Sequence, residues 1–449
     1  MKLPSFEGGV HPPDGKALTA EKAVELYQPQ GGELIFPLLQ HLGAPCSPAV
    51  KRGDRVLRGQ KLADSDAFVS APIFSSVSGT VKDIGPRMTI PGSLEECVVV
   101  ENDGLYETGP DLLETLGLSR PAAPEEYLKV IRAAGIVGMG GACFPTHVKL
   151  APPEGRVIRW FIVNGAECEP FLNCDNRLML ESPDILAEGL QLCLSLFPQA
   201  EGIVAIETNK PESIQTMSLE LERLGDPRMR VAPQEVKYPQ GAEKMLIRSV
   251  TGQEIPPGAL PADVGCIIVN VRTLYQIHQA LTLGTPVLDR IISVTGDVVV
   301  SPGNFCVPLG ISVRELVERA GGFSEDPVKV LAGGPMMGIS MRSLDVPIVK
   351  GTSGILALSE RSALLPVESN CLRCGRCVEA CPMRLVPSNL DHLVRLRDYT
   401  AFEQAGGMNC IECGCCTYNC PASRFLTQTC RDGKAAVTAE RRKKGAPKK

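Results

Sequence analysis

Two stretches of the chain carry cysteines at one spacing. Cys371, Cys374, Cys377 and Cys381 precede Pro382 as C-x-x-C-x-x-C-x-x-x-C-P, and Cys410, Cys413, Cys416 and Cys420 precede Pro421 in the same way. Three thiolates so close can reach three irons of one cubane from a single loop, and in two-cluster ferredoxins the fourth ligates the other cluster. The spacing therefore predicts two [4Fe–4S] clusters, the first on Cys371, Cys374, Cys377 and Cys420, the second on Cys410, Cys413, Cys416 and Cys381. Paired C-x-x-C units also make Cys₄ zinc sites, but two full copies, each closing on Cys-Pro, favour iron and sulfur. Cys415 is off the spacing and reads as a spare thiol. The other nine of the 18 cysteines, at 46, 97, 143, 168, 174, 193, 266, 306 and 430, are scattered and read as small buried hydrophobes.

Gly135, Gly138, Gly140 and Gly141 surround Met139 in a loop where the backbone can approach a ligand with its N–H groups free. The loop reads as a phosphate cradle or as an ordinary glycine turn. It is not a dinucleotide fingerprint, because its glycine spacing differs and no strand leads into it. Lys149 would complement a phosphate as a point charge or lie on the surface, and His147 reads as a hydrogen-bonded turn residue. Asn164-Gly165-Ala166-Glu167-Cys168-Glu169-Pro170 follows a predicted strand, at the end where open α/β sheets bind ligands. Its two carboxylates suit hydrogen bonds to a ring or ribose, or solvation.

The elements that must position these residues fall into blocks. From about 32 to 100, short strands separated by glycine turns predict a small all-β domain, and Gly53 to Gln60 with Ser78-Gly79-Thr80-Val81 resemble lipoyl and biotinyl carriers. No lysine lies between Leu62 and Val81, so a swinging arm is not expected. From about 124 to 285, strand candidates at 157–163, 203–206 and 266–271 alternate with helical stretches at 183–196, 212–224 and 272–283, which predicts a largely parallel sheet. A strand at 291–300, a helix at 312–320 opened by the capping box Ser312-Val313-Arg314-Glu315, and a strand at 328–331 predict a β-grasp module. One helical stretch, 388–404, joins the cysteine motifs.

The 449 residues suit about three globular domains. A net charge of −5 gives no reason to expect nucleic acid. Abundant cysteine without a signal peptide points to metal in a reducing compartment rather than disulfides. No apolar run reaches the roughly 18 residues of a membrane span, so a soluble or peripheral protein is expected. Arg441, Arg442, Lys443, Lys444, Lys448 and Lys449 read as a solvated tail, or as a contact with an anionic membrane or acidic partner.

Taken in order, Phe6 to Pro13, Gln40 to Pro45, Phe68 to Pro72, the glycine loop through Leu150, Val163 to Pro170 and both cysteine motifs resemble the C subunit of Rnf ion-translocating complexes, over nearly the whole chain. The resemblance implies a peripheral subunit on the cytoplasmic side of the cell (inner) membrane. Its partners would be the membrane-spanning and ferredoxin-like subunits of a complex that couples electron transfer between ferredoxin and NAD(H) to ion transport. The core is similar, more distantly, to the NADH-oxidising flavoprotein subunit of respiratory complex I, which implies FMN. Gly138, Gly140, Gly141 and Lys149 would then face its phosphate and Asn164 and Glu167 its ring. Tyr238, Glu243 and Asn270 match further site positions, and Phe144 and Glu169 would lie on the NAD(H) side. Met139, Ala166, Ala242 and Val269 each replace a polar residue usual in that family.

The expected architecture is multidomain α/β: an extension at 1–31, a barrel-sandwich at 32–105 and a Rossmann-like FMN/NAD(H) core at 120–287. An SLBB-like β-grasp module at 288–350, an α-helical two-cluster ferredoxin domain at 360–430 and a basic tail at 431–449 complete it. Two other readings compete. One is a soluble flavin and iron–sulfur reductase resembling cobalamin-reducing enzymes, against which the N-terminal β-domain argues. The other is a flavin-free relay scaffold that carries only clusters.

Overall fold

The computed structural model describes residues 3–363 and 367–443. Between residues 33 and 102, strands Glu33–Pro37, Leu94–Asn102, Gly79–Met88 and Arg55–Val56 form one antiparallel sheet in that order. Ser47–Pro48, Lys61–Asp64 and Ile73–Phe74 form a second. Leu34, Phe36, Val56, Leu62, Ile73, Val81, Val98 and Val100 fill the space they enclose. Gly79 is required by close approach, since a Cβ there would stand 2.0 Å from the Glu101 carbonyl oxygen.

The core sheet is wholly parallel, in the order Met229–Gln234, Glu201–Glu207, Trp160–Gly165, Cys266–Asn270. Its strands at 160–165, 201–207 and 266–270 carry buried apolar runs because helices Cys174–Glu181, Pro183–Ser195, Pro211–Leu224, Glu243–Thr251 and Val271–Leu283 flank the sheet. The chain runs outward from 160–165 through 201–207 to 229–234, then returns to the opposite side of 160–165 at 266–270. The strand order therefore reverses between the ends at Asn164 and Asn270, which is where ligands bind such sheets.

A third sheet has six strands, in the order Val24–Leu26, Gly303–Pro308, Asp289–Thr295, Gly354–Leu358, Lys329–Ala332, Ile339–Ser340. Helix Val313–Arg319 begins where the capping box places it, with Ser312 Oγ accepting from Glu315 N at 3.1 Å. The strand expected at 291–300 ends at Thr295. Gly296 turns the chain so closely over its neighbour that a Cβ would lie 1.8 Å from Ala357 O. The edge strand Val24–Leu26 comes from the N-terminal extension, paired in parallel with Asn304, Phe305 and Cys306.

The helical stretch expected at 388–404 is two helices, Pro387–Arg395 and Tyr399–Gln404. Arg397 adopts a left-handed φ of 59°, and Asp398 caps the second helix by accepting from Ala401 N. The break turns fully buried Phe402 into a core with Leu390, Cys430 and Val437. Helix Leu426–Lys443 runs on past residue 431, and Arg441 on its last turns pairs with Glu403. Lys444, Lys448 and Lys449 lie outside the described residues. Among the described residues, no helix is long and apolar enough to cross a membrane.

Lys350 locks the barrel-sandwich to the core. Its ammonium is fully buried and donates to Pro72 O and Gly135 O, each at 2.7 Å. Burial lowers its pKa to about 8. Lys350→Ala orphans two carbonyls and is expected to cost about 2–6 kcal/mol in urea unfolding, from roughly 1–3 kcal/mol for each. The folded state releases the Lys350 proton at lower pH than the unfolded chain does, so the lysine's contribution to stability rises between about pH 8 and the ordinary lysine range. The gap between wild type and variant should widen across that window.

Candidate flavin and cluster sites

The glycine loop closes on itself, with Gly138 N donating to Phe144 O at 2.8 Å and Cys143 N to Gly138 O at 3.0 Å. Thr273 Oγ1 holds Met139 N at 2.8 Å. Gly140, Gly141 and Ala142 form an exposed tip. Among the described residues, none accepts from the N–H groups of these three, which leaves them free for a ligand's oxygen. A Cβ on Gly140 would meet Asn270 Cβ at 3.2 Å, so glycine lets the loop lie against the end of strand Cys266–Asn270.

Asn270 Nδ2 donates to Asp175 Oδ2 at 2.6 Å, while its Oδ1 caps helix Val271–Leu283. The Glu167 carboxylate accepts from Asp175 N at 2.7 Å and Asn176 N at 3.0 Å, at the positive end of helix Cys174–Glu181. Asn164 Nδ2 donates to Gly241 O at 2.8 Å. Lys149 Nζ pairs with Glu243 Oε2 at 2.8 Å and donates to Ile268 O at 3.1 Å. Gly140, Lys149, Asn164, Glu167, Glu243 and Asn270 thus gather at the reversal point, with Gly138, Gly141 and half-buried Phe144 on the loop beside them.

Two candidates connect this crevice to its neighbours. Glu169 accepts from Met336 N at 2.7 Å and Met337 N at 3.0 Å on the third sheet's loop, and burial pushes its carboxyl up. Tyr238, buried, donates its hydroxyl to Cys413 O at 2.7 Å.

Asp175 and Arg290 escaped the sequence reading. Burial first, and the Glu167 charge next, push Asp175 up to about 7. Arg290, fully buried, donates through Nη2 to Met139 O and through Nε to Thr352 O at 2.6 Å, bracing the glycine loop from behind. Neither belongs to a motif of its own, so the available signal was its place next to a candidate element.

The cysteine motifs fold as two copies of one loop. Arg373 and Glu412 take matching left-handed conformations, as do Gly375 and Gly414, and Arg384 and Ser423. These turns wrap the chain around its sulfurs, with Arg373 N reaching Cys371 Sγ and Glu412 N reaching Cys410 Sγ, both at 3.4 Å. One cavity is lined by Cys371, Cys374, Cys377 and Cys420. Another is lined by Cys381, Cys410, Cys413 and Cys416, together with buried Cys415 and Cys430. Each cavity thus brings together the four motif cysteines of one crosswise set.

The four segments match family models described as the RnfC barrel sandwich hybrid domain (4–105), the Nuo51 FMN-binding domain (131–279), the SLBB domain (291–340) and a 4Fe-4S dicluster domain (365–425). The C subunit of the proton-translocating ferredoxin:NAD(+) oxidoreductase complex of Clostridium ljungdahlii is 45% identical over 394 residues, 87% of this chain and 84% of that one. The chain belongs to the Rnf C-subunit family. The corresponding C subunit of the Na(+)-translocating ferredoxin:NAD(+) oxidoreductase complex of Acetobacterium woodii is 40% identical over 444 residues, 99% of both chains. A solved NAD+-reducing [NiFe]-hydrogenase shares the fold at TM-score 0.51 and 19% identity, over 74% of this chain and 69% of its own. The expected barrel-sandwich, α/β core, SLBB module and ferredoxin segment are all present, and the family carries FMN and iron–sulfur clusters.

Cysteine variants test how the sulfurs are shared. Cys381→Ser and Cys410→Ser should abolish the same cluster signal in electron paramagnetic resonance, while Cys420→Ser and Cys371→Ser abolish the other. Pairing of Cys381 with Cys371 in that experiment would overturn the crosswise assignment.

Proposed function

We propose that this chain is the subunit at which a membrane-bound, ion-translocating complex exchanges electrons with NAD(H), lying peripherally on the cytoplasmic side against membrane-spanning and ferredoxin-like subunits. FMN, when bound, converts between hydride and single-electron chemistry, and the clusters carry electrons singly. The free N–H groups at Gly140 and Gly141 would hold the FMN phosphate, with Lys149 beside them. Asn164, Glu167 and Asn270 would orient the ring, and Phe144 and Glu169 would border the nicotinamide. No side chain is required as a nucleophile.

The observation that carries this reading is the hydrogen bond from Tyr238 to the Cys413 carbonyl, which joins the wall of the flavin crevice to a cluster loop. On the crosswise assignment, the cluster held by Cys381, Cys410, Cys413 and Cys416 would lie next to the crevice. The other set keeps Cys371 and Cys374 exposed, where a partner protein can approach. The barrel-sandwich match at 4–105 favours the membrane complex over a soluble reductase.

Anaerobically purified protein should contain about eight irons, two cubanes' worth, and near-stoichiometric FMN, and NADH should bleach its visible spectrum. Lys149→Ala and Glu167→Gln should lose flavin while keeping iron. Full iron with no flavin and no response to NADH would leave a relay scaffold instead.

A further inference from the structure

Reduction of NAD+ consumes two electrons and one proton, and electrons arriving through iron–sulfur clusters bring no proton with them. One proton must therefore reach the crevice for each pair of electrons, and one must leave it when the flow reverses.

Glu167 and Asp175 form the acid pair at the strand reversal, with ligating oxygens within 4.8 Å of each other. Two half-buried carboxylates so close do not both ionise easily, because each charge is poorly solvated and repels the other. The two differ in their partners. Glu167 accepts from two backbone N–H groups at a helix N-terminus. Among the described residues the Asp175 carboxylate accepts from the Asn270 amide, and that amide is the one against which Gly140 packs.

We propose that Asp175, paired with Glu167, is the proton store of the NAD(H) site. This rests on the reading that FMN occupies the crevice. As two electrons arrive from the clusters, the Asp175 O–H bond breaks and its proton enters the crevice, so that NAD+, two electrons and one proton give NADH. The Asp175 anion then takes a proton from solvent. Oxidation of NADH runs the same balance backwards.

The charged and titratable groups that act on Asp175 come from three elements. Glu167, on the loop after the central strand, opposes its ionisation, while Arg290 of strand Asp289–Thr295 and Lys16 of the N-terminal extension favour it. Cys174, next to Asp175 on its own helix, stays a neutral thiol because burial raises it. Arg290 Nη1 is buried with no hydrogen-bond partner among the described residues, and its guanidinium interacts with Asp175 and Cys174. A cation held this way steadies the carboxylate while the proton is away.

The test is infrared difference spectroscopy, reduced minus oxidised, on the flavin-loaded full chain. A carboxylic-acid carbonyl band should change on reduction, shift in D₂O, shift again when the aspartate carboxyls are labelled with carbon-13, and vanish in Asp175→Asn. In the oxidised protein its amplitude should fall as pH rises through about 7. Should Asp175→Asn fail to fold or to hold flavin, the labelled wild type decides alone. A flavin-loaded protein whose carbonyl region does not change, or whose band ignores the label, overturns this proposal and leaves the flavin site standing. Protein that binds no flavin overturns both.

Discussion

The Tyr238 hydroxyl reaches the Cys413 carbonyl at 2.7 Å in surroundings that leave the residue 2% exposed. A phenol so buried must keep its partner or lose the solvation it gave up, so the distance between crevice and cluster loop is fixed. The same stretch of chain is held from other directions. Tyr238 exchanges backbone hydrogen bonds with Val10 at 2.8 and 2.9 Å, Val236 O meets His11 Nδ1 at 3.1 Å, and Gly241 O takes the Asn164 amide. Residues 236–241 therefore touch the N-terminal extension, the cluster loop and the end of the central strand at once. Moving any one of these would move the others.

The extension finishes the assembly. Gly9 N donates to Ala380 O at 3.0 Å, and Gly8, at φ 71°, runs so close over the cluster loop that a Cβ would sit 2.8 Å from the Cys381 carbonyl carbon. Farther on, Lys16 buries its ammonium on the Glu169 and Leu172 carbonyls, and Val24–Leu26 closes the edge of the third sheet. A segment without a fold of its own thus ties the ferredoxin module, the acid loop and the β-grasp sheet in succession.

What the sequence disclosed depended on how local the determinant was. The cysteine spacing names its chemistry because one short loop encloses three sulfurs, and the apolar runs at 160–165 and 266–270 announce a covered parallel sheet. The edge strand Val24–Leu26 left no such trace, since its partners are residues 304–306 and three residues cannot show a period. The break at Arg397 has neither glycine nor proline to mark it and comes from packing Phe402 inward. Cys415 and Cys430 read as bland thiols, yet both line the second cluster cavity: Cys415 from the short helix Cys415–Tyr418 inside the motif, Cys430 from helix Leu426–Lys443, whose register is set by its neighbours. Asp175 lay just beyond the acidic motif. The hydrogen bonds from its helix to Glu167, and from the Asn270 amide to its own carboxylate, bring it into the site.

Of the buried cations around the glycine and acid loops, Lys210 holds Ala166 O but also pairs with Glu207, whereas three others hydrogen-bond carbonyls with no carboxylate in salt-bridge reach among the described residues. Lys350 holds Gly135 at the start of the glycine loop, Arg290 holds Met139 in its middle, and Lys16 holds Glu169 and Leu172 on the acid loop. The choice of partner matters for what the loops can bind. A salt bridge such as Lys149 with Glu243 places a compensating charge within hydrogen-bond reach, so its field fades quickly with distance. A cation on a carbonyl keeps its full charge while the loop stays pinned, at the cost of desolvation that already lowers Lys350 to about 8. Charge of this kind, fixed behind backbone and shielded from water, is what an anionic phosphate and a carboxylate that gives up its proton both require.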